Sequence, residues 1–309
     1  MPSLAIIRFY KIEMPECLEI PIDFEALLLA TMNLPEPERT VSIKGFPIRL
    51  LTLKSVENYR GNQVIEGEII RIRMKGLSVV AGVDSGVEDL EIDQDKGLGT
   101  ETAFLYHPKT ETLVLHNVQN GVSISAFLAY FESINNSKIQ AFSGDISADP
   151  IINRETMASF KKINEFKSVR FKVAKVENED FIREISSSQK ELISALTQYN
   201  AYFVETEVKV GIKRSNKLDG GECTRTVMDL LQLHSRQNES VETIKITGKS
   251  VDDEKIEIVN LLADLIKEEI RYNKDDLRNI PYQMRRDAVR KAWTKRKDEI
   301  ISMLQPSVE

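Results

Sequence analysis

The chain opens with the apolar run Leu4-Ala5-Ile6-Ile7-Arg8-Phe9-Tyr10, interrupted by Arg8 and ended by Lys11, which reads as a strand. Asp23 precedes Phe24-Glu25 and offers a helix cap, so a short helix is expected over 24–32. Residues 33–39 contain Pro35 and Pro37 and form a loop. Strands are expected at 46–54, 63–74 and 77–80. In the second of these, Val64, Glu66, Glu68, Ile70, Ile72 and Met74 share one parity. Ile65, Gly67, Ile69, Arg71 and Arg73 share the other, so neither face is cleanly apolar. Further on, the strand 102–106 meets the turn His107-Pro108-Lys109-Thr110 and a second strand at 111–116, a hairpin. After a polar break at 117–121, Ser123 caps a helix over 124–133 with Ile124, Phe127, Leu128 and Phe131 as its buried stripe.

The second half has clearer periods. A helix is expected near 153–163, and a strand at 169–176, where Val169, Phe171 and Val173 alternate with Arg170, Lys172 and Ala174. A helix follows at 188–198, then a long strand at 202–213. Phe203, Val204, Val208, Val210 and Ile212 dominate that strand, with Glu205, Glu207, Lys209 and Gly211 outward. Past Gly220-Gly221 come a helix at 224–233, a strand at 241–248 and an amphipathic helix at 256–270 carrying Ile258, Leu261, Leu262, Leu265 and Ile266. Pro281 precedes the last helix, 283–304, whose apolar face includes Val289, Trp293, Ile300 and Leu304. Strands cluster without a regular βαβ repeat, so an α+β fold is expected rather than a doubly wound sheet. The polar break Asn135-Asn136-Ser137 suggests two domains, a β-rich one at 1–135 and an α+β one at 136–309 that ends in a basic helix.

Composition fits this picture. Of 309 residues, 41% are apolar and 29% charged, enough for real cores and a well-solvated surface. No apolar run approaches the 18 residues of a membrane span, so direct membrane insertion is not expected. Cys17 and Cys223 have no metal-like spacing and point to a reducing, cytoplasmic setting.

Charge is uneven. The chain carries −6 overall, but from Arg271 to Lys297 ten basic residues face only Asp275, Asp276 and Asp287. That local +7 leaves −13 elsewhere, an asymmetry that can draw phosphate to one end of an acidic protein. On the last helix, Arg285, Arg286, Arg290, Lys291, Lys295 and Arg296 are the candidate contacts to a double-stranded DNA backbone. Such contacts bind without reading sequence. The same basic face also suits a solvated helix, or an acidic protein surface across an oligomer interface.

Catalytic signatures are sparse. His107, His116 and His234 form no metal-binding pair and read as isolated hydrogen-bonding residues. Gly97-Leu98-Gly99-Thr100 lacks the third glycine and the lysine of phosphate loops and reads as a turn or bulge. Ser85 lacks a nucleophile elbow. One arrangement has enzymatic potential. Glu207-Val208-Lys209 places a carboxylate and an ammonium on one strand face, as in metal-dependent nucleases of the restriction-like fold, with Glu184 or Asp180 as the second acid and Mg²⁺ as cofactor. Cross-strand charge pairing explains the same pattern.

In order of elements over most of its length, the chain resembles the RexA-type phage exclusion proteins and related bacterial proteins. The resemblance lies in the β-rich first half containing Thr102–His116, the charged strand at 202–213, the strand–helix unit at 241–270 and the positively charged terminal helix. It implies DNA binding, homodimerisation, anti-phage defence and a second defence-system protein as partner, and it carries over no catalytic residue. The leading expectation is therefore a non-enzymatic DNA-binding or sensing component of a defence system. The alternatives are the nuclease centred on Glu207 and Lys209, and an oligomeric protein-interaction subunit that ignores DNA.

Overall fold

The computed structural model describes residues 4–15, 22–57, 63–75, 80–81, 87–88, 90, 92–93, 95–174, 198, 201–211, 217–236, 241–250, 256–272 and 280–304. It is a mixed α+β chain of two compact units, Met1–Ser147 with Lys267–Glu309, and Ala148–Ile266.

The first unit is built on an antiparallel sheet. Its strands are β1 (Leu4–Glu13), β2 (Thr40–Ile43), β3 (Phe46–Glu57), β4 (Gln63–Arg73), β7 (Leu98–His107), β8 (Thr112–Asn117) and, from the far end of the chain, β14 (Lys267–Arg271). They lie in the order β14-β1-β8-β7-β4-β3-β2. A separate small hairpin joins β5 (Val80–Ala81) to β6 (Val87–Glu88). The tight link between β2 and β3 is Lys44-Gly45, both at positive φ, as a two-residue hairpin loop demands.

The sheet's two faces differ in chemistry. One bears Tyr106 and Phe104 and receives α1 (Phe24–Asn33) and α2 (Ile124–Ile134). There Phe24 meets Tyr106 edge-on at 5.1 Å, and Phe104 meets Phe127 at 5.1 Å. Gly67, paired with Phe104 across the ladder, is required for this packing, because a Cβ there would lie 2.3 Å from the ring. Both expected caps form: Asp23 accepts from the Ala26 amide at 2.7 Å, and Ser123 from that of Ala126. The opposite face receives the final helix, α5 (Tyr282–Leu304), which buries Ala288, Val289, Ala292, Trp293 and Ile300.

In the second unit, β10 (Ile163–Ala174), β11 (Phe203–Lys209), β12 (Val241–Ser250) and β13 (Ile256–Asn260) form an antiparallel sheet in the order β11-β10-β12-β13. Strand β9 (Ser147–Pro150) lies at the chain boundary between units. Helices α3 (Arg154–Lys162) and α4 (Gly220–Arg236) cover one face of the sheet, over a core of Phe166, Val169, Phe171, Val227, Leu230, Ile244 and Ile246.

Three expectations are corrected. The division into 1–135 and 136–309 gives way to the discontinuous units above. Asn135 is no linker residue: it is buried, donates to the Phe142 carbonyl at 2.8 Å and accepts from the Ala141 amide. The basic end of the chain joins the first unit because β14 pairs with β1 (Leu4↔Arg271) and α5 packs on that sheet. The amphipathic helix expected at 256–270 is instead β13, a turn and β14. Its apolar spacing suits a helix, but the ladder Lys245↔Asn260 to Lys249↔Ile256 gives the backbone of β12 a partner that a helix would not. In β11, Phe203 lies on the outward face with Glu205, Glu207 and Lys209, and Lys172 sits over its ring at 4.0 Å. The helix expected at 188–198 falls outside the described residues, Gln198 excepted.

Candidate functional site

The face of the main sheet beneath α5 is unusual in what it buries. Strand register places Glu66 and Glu68 of β4, Glu101 and His107 of β7, Thr112 and His116 of β8, and Glu268 of β14 on this one side. Glu66 is 1% exposed, and Glu68 and Glu268 are 4% exposed each. Ionised carboxylates at such depth are tolerated only when cations reach them. Helix α5 supplies those cations.

Arg285 donates through Nε to Glu68 at 2.7 Å, meets the same carboxylate through Nη2, and lies 3.2 Å from Glu101. Its Nη1 donates to the carbonyl of Ile280. Arg290 grips Glu66 with two bonds, 2.7 and 2.8 Å, the fork geometry that suits guanidinium to carboxylate. Arg286 adds its charge 3.3 Å from Glu66 without an aligned hydrogen bond. Lys295 and Arg296 share Glu268 at 2.5 Å each, and Arg296 also reaches Glu299 at 2.9 Å. Five cations thus meet five carboxylates.

Titration behaviour follows from this setting. Burial pushes Glu68 above the ordinary carboxylate value, and the Arg285 bond offsets only part of that. Burial also pushes Glu268 upward, but the bonds from Lys295 and Arg296 outweigh it and hold its pKa below the usual value. His107 is pushed down to about 4 by burial and by the charge of Lys109. His116 is likewise pushed down to about 4 by burial and by Arg285. His107 Nδ1 bonds Thr110 Oγ1 at 2.7 Å, and its ring lies 4.9 Å from Trp293. The Nε2 of His116 contacts the Tyr272 hydroxyl at 3.3 Å.

The candidate phosphate contacts therefore divide. Arg285, Arg286, Arg290 and Arg296 turn toward the sheet, and Lys295 is engaged by Glu268. Lys291 is exposed and makes no ion pair among the described residues. The helix row facing solvent carries Asp287, Lys291, Lys295 and Asp298, two charges of each sign. Sequence reasoning missed Glu66, Glu68, Glu101 and Glu268. Their signal was a strand apolar on both parities with two glutamates set inside it.

Of the nuclease constellation only the strand pair Glu207 and Lys209 lies within the described residues. Glu207 and Lys209 do share a face, where they pair with each other at 2.9 Å on β11, the end strand of the described sheet, and Arg170 across the ladder bonds Glu205 at 2.7 Å. Glu184 and Asp180 lie outside the described residues. Among the described residues no group of three or more His, Cys, Asp or Glu side chains is arranged to hold a metal, and no helix is long and apolar enough to cross a membrane.

The chain belongs to a family of unknown function, DUF6731, whose model matches residues 19–298. A comparison with curated proteins finds no match.

Proposed function

We propose that this chain is a non-enzymatic binding component that assembles with a second copy of itself through the β13 edge of its four-stranded sheet. The observation that carries the reading is the contrast between that sheet's two ends. Strand β11 also exposes apolar groups, Phe203 and Val208, but it sets Glu205, Glu207 and Lys209 among them, charges of the kind that keep an edge from pairing. Strand β13 ends the described sheet with Ile256 and Ile258 exposed by 62% and 72%. The unpaired backbone N–H and C=O groups of an edge strand are a template for another strand, and exposed apolar side chains beside them favour covering.

A second copy is the occupant that fits. Every strand pair in this sheet is antiparallel. A two-fold centred on Ile258 extends that pattern, setting Ile258 against its own copy and Ile256 against Asn260. The only charge on the strand, Glu257, then falls opposite Val259. The same operation on β11, centred on Thr206, sets Glu205 against Glu207, a like-charge pair that disfavours it. A five-residue edge buries little area, so the association belongs with small, reversible interfaces of under about 1,200 Å². Homodimerisation is also what the resemblance to the RexA-type proteins implies. A sensing role in anti-phage defence is the context we propose for it, with DNA contact by α5 as a lesser part, because its arginines are engaged within the first unit.

Sedimentation of the full chain across a concentration series tests the assembly. A reversible monomer–dimer equilibrium is expected, abolished by Ile258→Lys with unchanged circular dichroism. Such an exposed substitution alters folding by less than about 0.5 kcal/mol. A native chain that stays monomeric at high concentration, or an unaffected Ile258→Lys dimer, overturns the proposal. In parallel, labelled duplex DNA titrated across a salt series is expected to show only weak retention. Tight, salt-sensitive retention lost on charge reversal of Lys291 and Lys295 would restore phosphate binding as the leading role.

A further inference from the structure

We infer that the first unit holds a binding site for a compact amphipathic anion, an oxyanion head on a small apolar body, in a cleft between α5 and the strands β3, β4 and β7. The cleft has a volume of about 250 Å³, room for roughly eight waters at ~30 Å³ each. Its floor is apolar: the half-buried Val56, with the buried Val64 and Leu105 beneath it. Its wall is one stripe of α5, Arg290, Trp293, Thr294 and Lys297, at spacings that place all four on a single helix face.

This wall is rich in donors and poor in acceptors. Lys297 has no carboxylate partner among the described residues. Thr294 is exposed and brings a hydroxyl. The one carboxylate in the lining, Glu66, accepts both Arg290 bonds and stands 3.3 Å from Arg286, so it is already outnumbered by cations. A ligand complementary to this surface brings acceptors and negative charge to Lys297 and Thr294 and lays a small apolar body on Val56, over the buried Val64 and Leu105. A bare inorganic anion leaves the floor uncovered, and a neutral alkyl molecule leaves Lys297 unpaired. The inference is independent of the assembly proposed above, since β13 belongs to the other unit.

The chain has one tryptophan, and it lines this cleft. Its emission is therefore a direct probe. Titrating the full chain with hexanoate and with butyl phosphate, both transparent at the exciting wavelength, is expected to change Trp293 emission saturably. Inorganic phosphate and hexanol at equal concentration are expected to leave it unchanged. Lys297→Gln, on a partly exposed side chain outside the ion-pair cluster, is expected to weaken binding about tenfold, the effect of losing roughly 1.4 kcal/mol. No saturable change up to about 10 mM, where even a millimolar site is mostly filled, overturns the inference. So does an undiminished response in Lys297→Gln, or an equal response to inorganic phosphate.

Discussion

Replacing Arg285 with methionine is expected to destabilise the first unit by about 3–5 kcal/mol, the usual consequence of leaving one member of a buried ion pair alone. Glu68 is 4% exposed, and its carboxylate already sits above its ordinary pKa because of burial. Without Arg285 it keeps its desolvation and its repulsion from Glu101 and loses both guanidinium bonds. Urea unfolding followed through the emission of Trp293 reports on this unit alone, because the chain's sole tryptophan lies within it. With a slope near 2 kcal/mol per molar urea, the midpoint falls by about 2 M. The double variant Arg285→Met with Glu68→Leu is expected to recover most of the loss, since apolar replacement of both partners removes the uncompensated charge. A single variant that unfolds at the native midpoint would show that α5 is not held through this pair.

The same pair marks the limit of what the sequence discloses. Local chemistry was legible: the caps at Asp23 and Ser123, the turn at His107-Pro108-Lys109-Thr110 and the inward Trp293 depend on neighbours a few residues away. The role of the α5 arginines was not, because Arg285 and Arg290 find their carboxylates 217 and 224 residues earlier in the chain. A run of basic residues on a helix is ordinarily solvated, and nothing adjacent to it signalled the buried glutamates. The clue lay in β4, where apolar residues on both parities meant a strand covered on both faces, and Glu66 and Glu68 on one parity meant that one cover had to be cationic. At 256–270 two periods competed. Leu261, Leu262, Leu265 and Ile266 suit a helix, and the alternation of Ile256, Glu257 and Ile258 suits a strand. Pairing with β12 decided the first part and pairing with β1 the last. A boundary drawn once along the chain also cannot describe a unit that the chain leaves at 148 and re-enters at 267.

Acidification from pH 7 to pH 4 is expected to weaken the first unit by several kcal/mol, with the two buried histidines as the main source. In the unfolded chain His107 and His116 take up protons near the ordinary value of 6.5, whereas in the folded chain each is held neutral down to about 4. Between those values the unfolded state binds more protons, so stability falls as pH falls and levels off once the folded histidines protonate. A separation of about 2.5 units corresponds to about 3 kcal/mol for each residue at full effect. Glu268, held below its ordinary pKa, loses its contribution only at lower pH, as the carboxylate range is crossed. Glu68, raised by burial, acts in the opposite sense and softens the acid loss. The surroundings favour neutral imidazoles on both sides. His107 lies against Trp293 and hydrogen-bonds Thr110, and His116 contacts the Tyr272 hydroxyl and feels the Arg285 charge. Urea midpoints read through Trp293 at half-unit steps from pH 7.5 to 3 test this. The native chain is expected to lose stability mainly between pH 6.5 and 4. His107→Gln with His116→Gln is expected to flatten that window while leaving the decline below it. A native profile flat across the window, or an undiminished slope in the double variant, would place the acid response in the carboxylates instead.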